Sequence, residues 1–169
     1  MRTAVSVLAF IALGCAAPVV SPVVSPEDDT RVRARLWAEH AARVRAERAA
    51  EFEARVIELD GKRMPFAYSV HGVAPPAGHA LFVSLHGGGS APKEVNDQQW
   101  ENQKRLYAPA EGIYVAPRAP TDAWNMWHQA HMGAFLDRLI EDFVVFEGVD
   151  PDRVYLTGYS AGGDGVYQL

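Results

Sequence analysis

A serine between two glycines is the residue of this chain best suited to chemistry. Residues 158–163 read Gly-Tyr-Ser-Ala-Gly-Gly and directly follow the short apolar run Val154-Tyr155-Leu156-Thr157. A Gly-x-Ser-x-Gly motif after a strand is typical of a sharp strand-to-helix turn that presents the serine oxygen above the sheet. Because that turn is crowded, a Cβ at Gly158 or Gly162 would clash. The motif therefore predicts Ser160 as a nucleophile.

A second glycine-rich segment, His86-Gly87-Gly88-Gly89, directly follows the continuous apolar run Ala80–Leu85. Such a run is typical of a strand buried on both faces of a parallel sheet. A Gly-rich loop after an early strand, upstream of the serine turn, is where backbone donors for an oxyanion belong. The serine motif alone would arise by chance in roughly one such sequence in twenty. The two motifs in the required order favour catalysis over an ordinary turn and a packed serine.

Alternating strands and helices must position these motifs. The turn residues Asp60-Gly61-Lys62 lie between two alternating segments and predict a β-hairpin. Beyond the hairpin, apolar runs alternate with segments of helical periodicity, which predicts an α/β fold with a largely parallel sheet and helices on both faces. The predicted elements are hairpin strands 55–59 and 64–70, strand 80–85, helix 93–107, strand 112–116, helix 133–147 ended by Gly148, a turn at 150–152, and strand 154–157.

The composition is that of an ordinary globular domain. The chain has 169 residues, of which 49% are apolar, and a formal net charge of −5. That length can bury a core, and the mild acidity gives no reason to expect a nucleic-acid partner.

The N-terminus predicts export. Met1-Arg2 is a short basic start, and the apolar run Ala4–Leu13 is too short to span a bilayer, so residues 1–16 are interpreted as a signal peptide. The ending Leu13-Gly14-Cys15 resembles a bacterial lipobox, which would make Cys15 a lipid anchor in the membrane. Plain cleavage near Ala16 or Ala17 is the alternative, so the destination is extracellular, periplasmic or membrane-anchored.

Two further segments precede the predicted domain. Residues 17–26 are rich in Pro, Val and Ser and are interpreted as an extended tether. Residues 27–54 are rich in Ala, Arg and Glu and predict a charged helical arm. Because its apolar stripe is thin, we expect a solvated arm packed loosely on the domain rather than a partner-binding helix.

Three segments together resemble the α/β-hydrolases: His86–Gly89, Trp124–Trp127 and Val149–Gly163. The resemblance covers about residues 55–169 and is greatest to secreted serine esterases of the polyhydroxybutyrate-depolymerase-like and feruloyl-esterase-like kinds. It implies the α/β-hydrolase fold and hydrolysis of small or polymeric esters, without a cofactor, through an acyl-enzyme on Ser160.

The same resemblance implies roles for other residues. The N–H of Ala161 and one from Gly88 or Gly89 would bind the oxyanion, and His86 would hold the loop in shape. Trp124, Trp127 and Tyr159 would either line a substrate pocket or pack in the core. Gly87, Gly158 and Gly162 support the two motifs.

The histidine base and its carboxylate are not evident. The chain's histidines all precede Ser160, whereas in this architecture the acid and the histidine follow the serine. They are His40, His71, His79, His86, His128 and His131. His128 and His131 are spaced i,i+3, but no third ligand at suitable spacing accompanies them, so no metal site is expected.

We therefore expect the chain to be the N-terminal part of a longer hydrolase, truncated shortly after the turn at Ser160 and inactive by itself. One alternative is a serine peptidase of the prolyl-oligopeptidase type, although the arm is small for the extra domain of those enzymes. The other is a catalytically inactive chain that binds a ligand or partner.

Overall fold

The computed structural model describes residues 25–169. The predicted signal peptide of residues 1–16, with Cys15, and most of the predicted tether of residues 17–26 lie outside the described residues. The described residues divide into two units, with the division between Arg35 and Leu36. In the described part of the first unit, Ser25 Oγ accepts the N–H of Asp28 at 3.1 Å and so caps the start of the first helix.

Helices and strands alternate along the described chain, so the α/β fold class predicted from the sequence is confirmed. In chain order the elements are α1 Pro26–Ala54, β1 Val56–Leu59, β2 Lys62–His71, β3 His79–Leu85, α2 Lys93–Gln103, β4 Gly112–Pro117, α3 Met132–Glu147, β5 Val149–Gly158 and α4 Ala161–Gln168. No helix within residues 25–169 is long and apolar enough to cross a membrane.

The five strands form one mixed sheet, in the order β1-β2-β4-β3-β5. Only β3–β4 and β3–β5 are parallel, while β1–β2 and β2–β4 are antiparallel. The prediction of a largely parallel sheet is therefore wrong. The tight turn at Asp60 and Gly61, both with positive φ, makes β1 and β2 antiparallel neighbours. The parallel pairs instead use the crossover helices α2 and α3.

Helices lie on both faces of the sheet, as predicted. Side chains alternate along β3, so Leu81, Val83 and Leu85 are fully buried in one core together with residues of α3. On the opposite face, Gln103 of α2 donates to Ser84 Oγ at 2.6 Å.

The C-terminal part of α1 packs tightly, so the expectation of a loosely packed arm is wrong for residues 36–54. Phe52 belongs to the main core, where its ring stacks on Phe146 with centroids 4.6 Å apart. Glu51 accepts two hydrogen bonds from Arg138 of α3, at 2.8 and 2.9 Å. A thin apolar stripe understates this packing because several ion pairs and a few well-buried side chains, Phe52 among them, hold this part of the helix.

Two element boundaries differ from the predictions. Helix α2 ends at Gln103 rather than near Tyr107, whose ring instead packs edge-on against Phe82 with centroids 5.5 Å apart. The turn predicted at 150–152 lies within β5. A register shift there pairs His79 with Val149 and Leu81 with Val154, so β5 absorbs the additional residues as an irregularity.

Candidate active site

Ser160 lies in a strained turn between β5 and α4. The residue is exposed to solvent. Its backbone has φ 53° and ψ −119°, outside the regions that non-glycine residues ordinarily occupy. Such a conformation costs on the order of 1–3 kcal/mol and persists only where the surroundings impose it. This is the strand–turn–helix geometry that the Gly-x-Ser-x-Gly motif predicts.

The flanking glycines make the turn possible. A Cβ on Gly158 would lie 2.2 Å from Gly162 O, and a Cβ on Gly162 would lie 2.0 Å from Leu85 O. Gly163 is different, because a Cβ there would meet its nearest neighbour, Gly158 O, at an ordinary 3.7 Å. The close approach of backbone to backbone therefore requires glycine at the two motif positions only.

The glycine loop, residues 86–89, lies beside Ser160. The parallel register pairs Leu85 with Gly158, so the chain leaves β3 and β5 at the same end of the sheet. A Cβ on Gly87 would lie 3.3 Å from Ser160 Cβ and 3.0 Å from Tyr159 Cδ1. The fold thus brings together two motifs that are about 70 residues apart in the sequence.

The predicted oxyanion donors differ in availability. Within residues 25–169, no protein acceptor binds the N–H of Ala161 or that of Gly88. The N–H of Gly89 donates to Asn96 Oδ1 at 2.8 Å. Gly89 is therefore not a free donor, and of the two loop glycines predicted for this role only Gly88 remains.

His86 holds the loop and has no nitrogen to spare for proton transfer. Its Nε2 accepts the N–H of Ala119 at 3.1 Å, which leaves the proton on Nδ1 to donate to Gly87 O at 2.6 Å. Burial is the largest cause that lowers the pKa of His86, to about 4, so the ring is neutral at physiological pH. This arrangement fits the shaping role expected from the sequence.

The three aromatic residues considered for a substrate pocket occupy different environments. Trp127 is fully buried, and its indole N–H donates to His86 O at 2.8 Å, so it packs beneath the loop. Trp124 and Tyr159 are 68% and 63% exposed. A Cβ on Gly89 would lie 3.1 Å from Trp124 Cα, which places this tryptophan next to the loop.

No base contacts the serine in the described part of the chain: Ser160 Oγ makes no hydrogen bond within residues 25–169. His128 Nδ1 and His131 Nε2 are buried without a hydrogen-bond partner in that range, and the ring of His128 packs edge-on against Trp124. No group of three or more potential ligands that could hold a metal occurs among the described residues.

A polar network behind the loop was missed by sequence reasoning. Asn96 is fully buried and donates through Nδ2 to Asp122 Oδ1 at 2.9 Å. Arg118 donates to the same carboxylate oxygen and, through Nε, to Asp97 Oδ1 at 3.0 Å. Nothing in the local sequence distinguishes Asn96 from a solvated residue in the first turn of a helix.

An open cleft of about 420 Å³ borders this network rather than the serine. Trp100, Arg118 and Asp122 line it, and Ser160 does not. Because Arg118 is already paired with Asp97 and Asp122, its positive charge is balanced by carboxylates of the protein itself.

No family model, curated protein or solved structure matches this chain. The chemistry that can be assigned to the site therefore rests on the two motifs and on the geometry of residues 25–169.

Proposed function

We propose that this chain carries the nucleophile and the oxyanion donors of a serine esterase of the α/β-hydrolase type. One observation carries the proposal: the strained Ser160, with φ 53°, lies beside a glycine loop, and the N–H groups of Ala161 and Gly88 have no acceptor in the described chain. Unsatisfied N–H groups at a strained serine are the features that acyl transfer requires.

In the proposed reaction, Ser160 Oγ attacks the ester carbonyl carbon while a base takes the serine proton. The oxyanion of the tetrahedral intermediate accepts hydrogen bonds from the N–H groups of Ala161 and Gly88, and loss of one such donor costs about 3–4 kcal/mol in the barrier. Collapse of the intermediate breaks the ester C–O bond, and the alcohol leaves with the proton. Water then attacks the acyl-enzyme, releases the carboxylic acid and restores Ser160.

Ser160 Oγ has no hydrogen-bond partner within residues 25–169, so the base must be a residue that does not contact it in this structure. The chain order of α/β-hydrolases implies a histidine and a carboxylate that follow the serine. His86 is unsuited to this role because both of its ring nitrogens are already hydrogen-bonded.

The proposal also includes export, which rests on the N-terminal sequence. A mature chain that begins at Cys15 with the added mass of lipid supports a membrane anchor, while an unmodified start near Ala17 supports plain secretion. Mass spectrometry of the mature N-terminus distinguishes these products from an unprocessed Met1, which would count against export.

A serine-directed phosphonate probe tests the function. We expect the full-length protein to be labelled on Ser160, and Ser160→Ala to abolish labelling because the nucleophilic oxygen is lost. Ser69→Ala is the matched control, since Ser69 is an exposed serine on β2 whose Oγ hydrogen-bonds His71 Nε2 at 2.8 Å, away from the glycine loop. Labelling that survives in Ser160→Ala, or no labelling of the full-length protein, rules the proposal out.

The substrate class is tested next with matched short-chain esters and peptide amides. The proposal expects hydrolysis of the esters. Preferential hydrolysis of the amides would replace it with the serine-peptidase alternative.

A further inference from the structure

Gly88 lies between two peptide planes that are each held by a buried side chain. The peptide that joins Gly87 to Gly88 is held at its carbonyl, which accepts from His86 Nδ1 at 2.6 Å. Because a trans peptide is planar and its C=O and N–H point in opposite directions, the N–H of Gly88 is turned away from His86. The peptide that joins Gly88 to Gly89 is held at its N–H, which donates to Asn96 Oδ1 at 2.8 Å.

The loop needs such support because its backbone is unusual. Gly88, Gly89 and Ser90 have φ of 112°, 85° and 49°, three successive residues in a region that ordinary side chains avoid. The contact also leaves no room for a side chain, since a Cβ on Gly88 would lie 2.2 Å from Asn96 Oδ1.

The amide of Asn96 can be oriented in only one way. Its Oδ1 faces the N–H donor of Gly89, while its Nδ2 faces two acceptors, Ala91 O at 3.1 Å and Asp122 Oδ1 at 2.9 Å. The reverse orientation would place donors against a donor and an oxygen against oxygens. A fully buried amide with these partners is a fixed support for the loop.

Asp122 anchors the support at two points. Its carboxylate accepts from Asn96 and from Arg118, whose side chain is 8% exposed, and its backbone carbonyl accepts the N–H of Ser90 at 2.8 Å. Hydrogen bonds to a carboxylate are stronger than those between neutral groups, so Asp122 stabilises the orientation of the Asn96 amide.

We infer that Asn96, held by Asp122, is the positioning residue that aims the Gly88 N–H at the oxyanion. The inference rests on the proposed function and deepens it. Asn96 touches no substrate in this scheme. It fixes the conformation on which one of the two oxyanion donors depends, and such a donor acts chiefly on the transition state.

The test compares Asn96→Ala with Gln103→Ala in the full-length protein. Gln103 is a matched control because it is also a buried amide on α2, 4% exposed, and it donates to Ser84 Oγ rather than to the loop. On a soluble p-nitrophenyl ester we expect Asn96→Ala to lower kcat by about tenfold to a hundredfold, with KM within about twofold, since it misplaces a donor without deleting it. Gln103→Ala should lower the thermal midpoint similarly and leave kcat within about twofold.

Amide hydrogen exchange supplies a readout that does not need activity. We expect the Gly89 N–H to be protected in the wild type and to lose that protection in Asn96→Ala, but not in Gln103→Ala. If Asn96→Ala does not fold, Asp122→Asn is used instead, and a fall in kcat with unchanged KM is expected there too.

Each outcome decides between the two ideas. A kcat for Asn96→Ala equal to that of Gln103→Ala, or a change confined to KM, overturns the positioning role while the esterase proposal stands. An inactive wild type with a protected Gly89 N–H overturns the proposed function, and the catalytic part of this inference with it.

Discussion

At the scale of single residues, the site depends on backbone conformations that only a few side chains permit. Ser160 is a non-glycine residue at φ 53°, and two glycines beside it remove the Cβ atoms that would otherwise collide. Local crowding of this kind can be recognised in the sequence, because no other residue type can replace glycine at those two positions. For that reason the turn was predictable from six letters of sequence.

Gly162→Ala should be far more harmful than Gly163→Ala. The new Cβ at Gly162 would lie 2.0 Å from Leu85 O, so the helix or the strand must move, at a cost of about 3 kcal/mol or more. The Cβ at Gly163 meets its nearest neighbour at 3.7 Å, and alanine favours a helix there. Urea unfolding measures both variants, and equal stabilities would contradict the backbone contact described here.

At the scale of elements, helix α2 does more than cover one face of the sheet. Asn96 in its first turn binds the glycine loop, and Gln103 in its last turn binds β3 through Ser84. The helix therefore connects the loop to the strand from which the loop emerges. Helix α1 similarly packs against α3 through Phe52 and through the ion pair of Glu51 with Arg138.

Phe52→Ala should destabilise the protein by about 3–5 kcal/mol, because it leaves a cavity among aromatic rings in the main core. Leu36→Ala is the control on the same helix. Leu36 is 53% exposed, and its truncation should change the free energy of unfolding by less than about 0.5 kcal/mol. Chemical denaturation measures both, and a small loss for Phe52→Ala would restore the loosely packed arm expected from the sequence.

At the scale of the whole molecule, two fully buried ionisable groups should make stability respond to acid in opposite directions. Burial, as the largest cause, lowers the pKa of His86 to about 4 and raises the pKa of Asp142 to about 6 despite the hydrogen bond from Arg48. His86 binds its proton more readily in the unfolded chain, so its contribution is lost as the pH falls from about 6.5 to 4. Asp142 binds its proton more readily in the folded protein, so its contribution is gained as the pH falls through about 6.

Non-titrating variants separate the two contributions. As the pH falls from 7 to 4, the unfolding free energy of the wild type should rise relative to that of Asp142→Asn by about 3 kcal/mol. The reason is that the pKa of Asp142 in the folded protein lies about two units above its value in the unfolded chain. Relative to that of His86→Gln, the unfolding free energy of the wild type should fall by a similar amount, about 3 kcal/mol. Denaturant unfolding at several pH values gives both differences, and curves that stay parallel would show that neither buried group titrates in this way.

Sequence and structure differ most where contacts join distant segments. Local patterns predicted the hairpin, the buried strand at 80–85, which the structure extends by one residue to His79, and the C-terminal end of α3 at Gly148, whose φ of 66° is left-handed. They could not predict that β2 lies antiparallel to β4, since strand pairing depends on how the whole chain is wound. For the same reason, the sequence could not decide whether Trp127 lines a substrate pocket or packs beneath the loop.

The sequence by itself determined the identity of the two motifs and their order, because glycine positions and strand periodicity are properties of neighbouring residues. Only the tertiary structure decided which groups of those motifs are free. It engages the N–H of Gly89 with Asn96, seven residues further along the chain, and leaves the N–H groups of Gly88 and Ala161 without a protein acceptor in the described residues. The physical reason is that a backbone donor is available or occupied according to what the fold places opposite it, and no local sequence pattern encodes that partner.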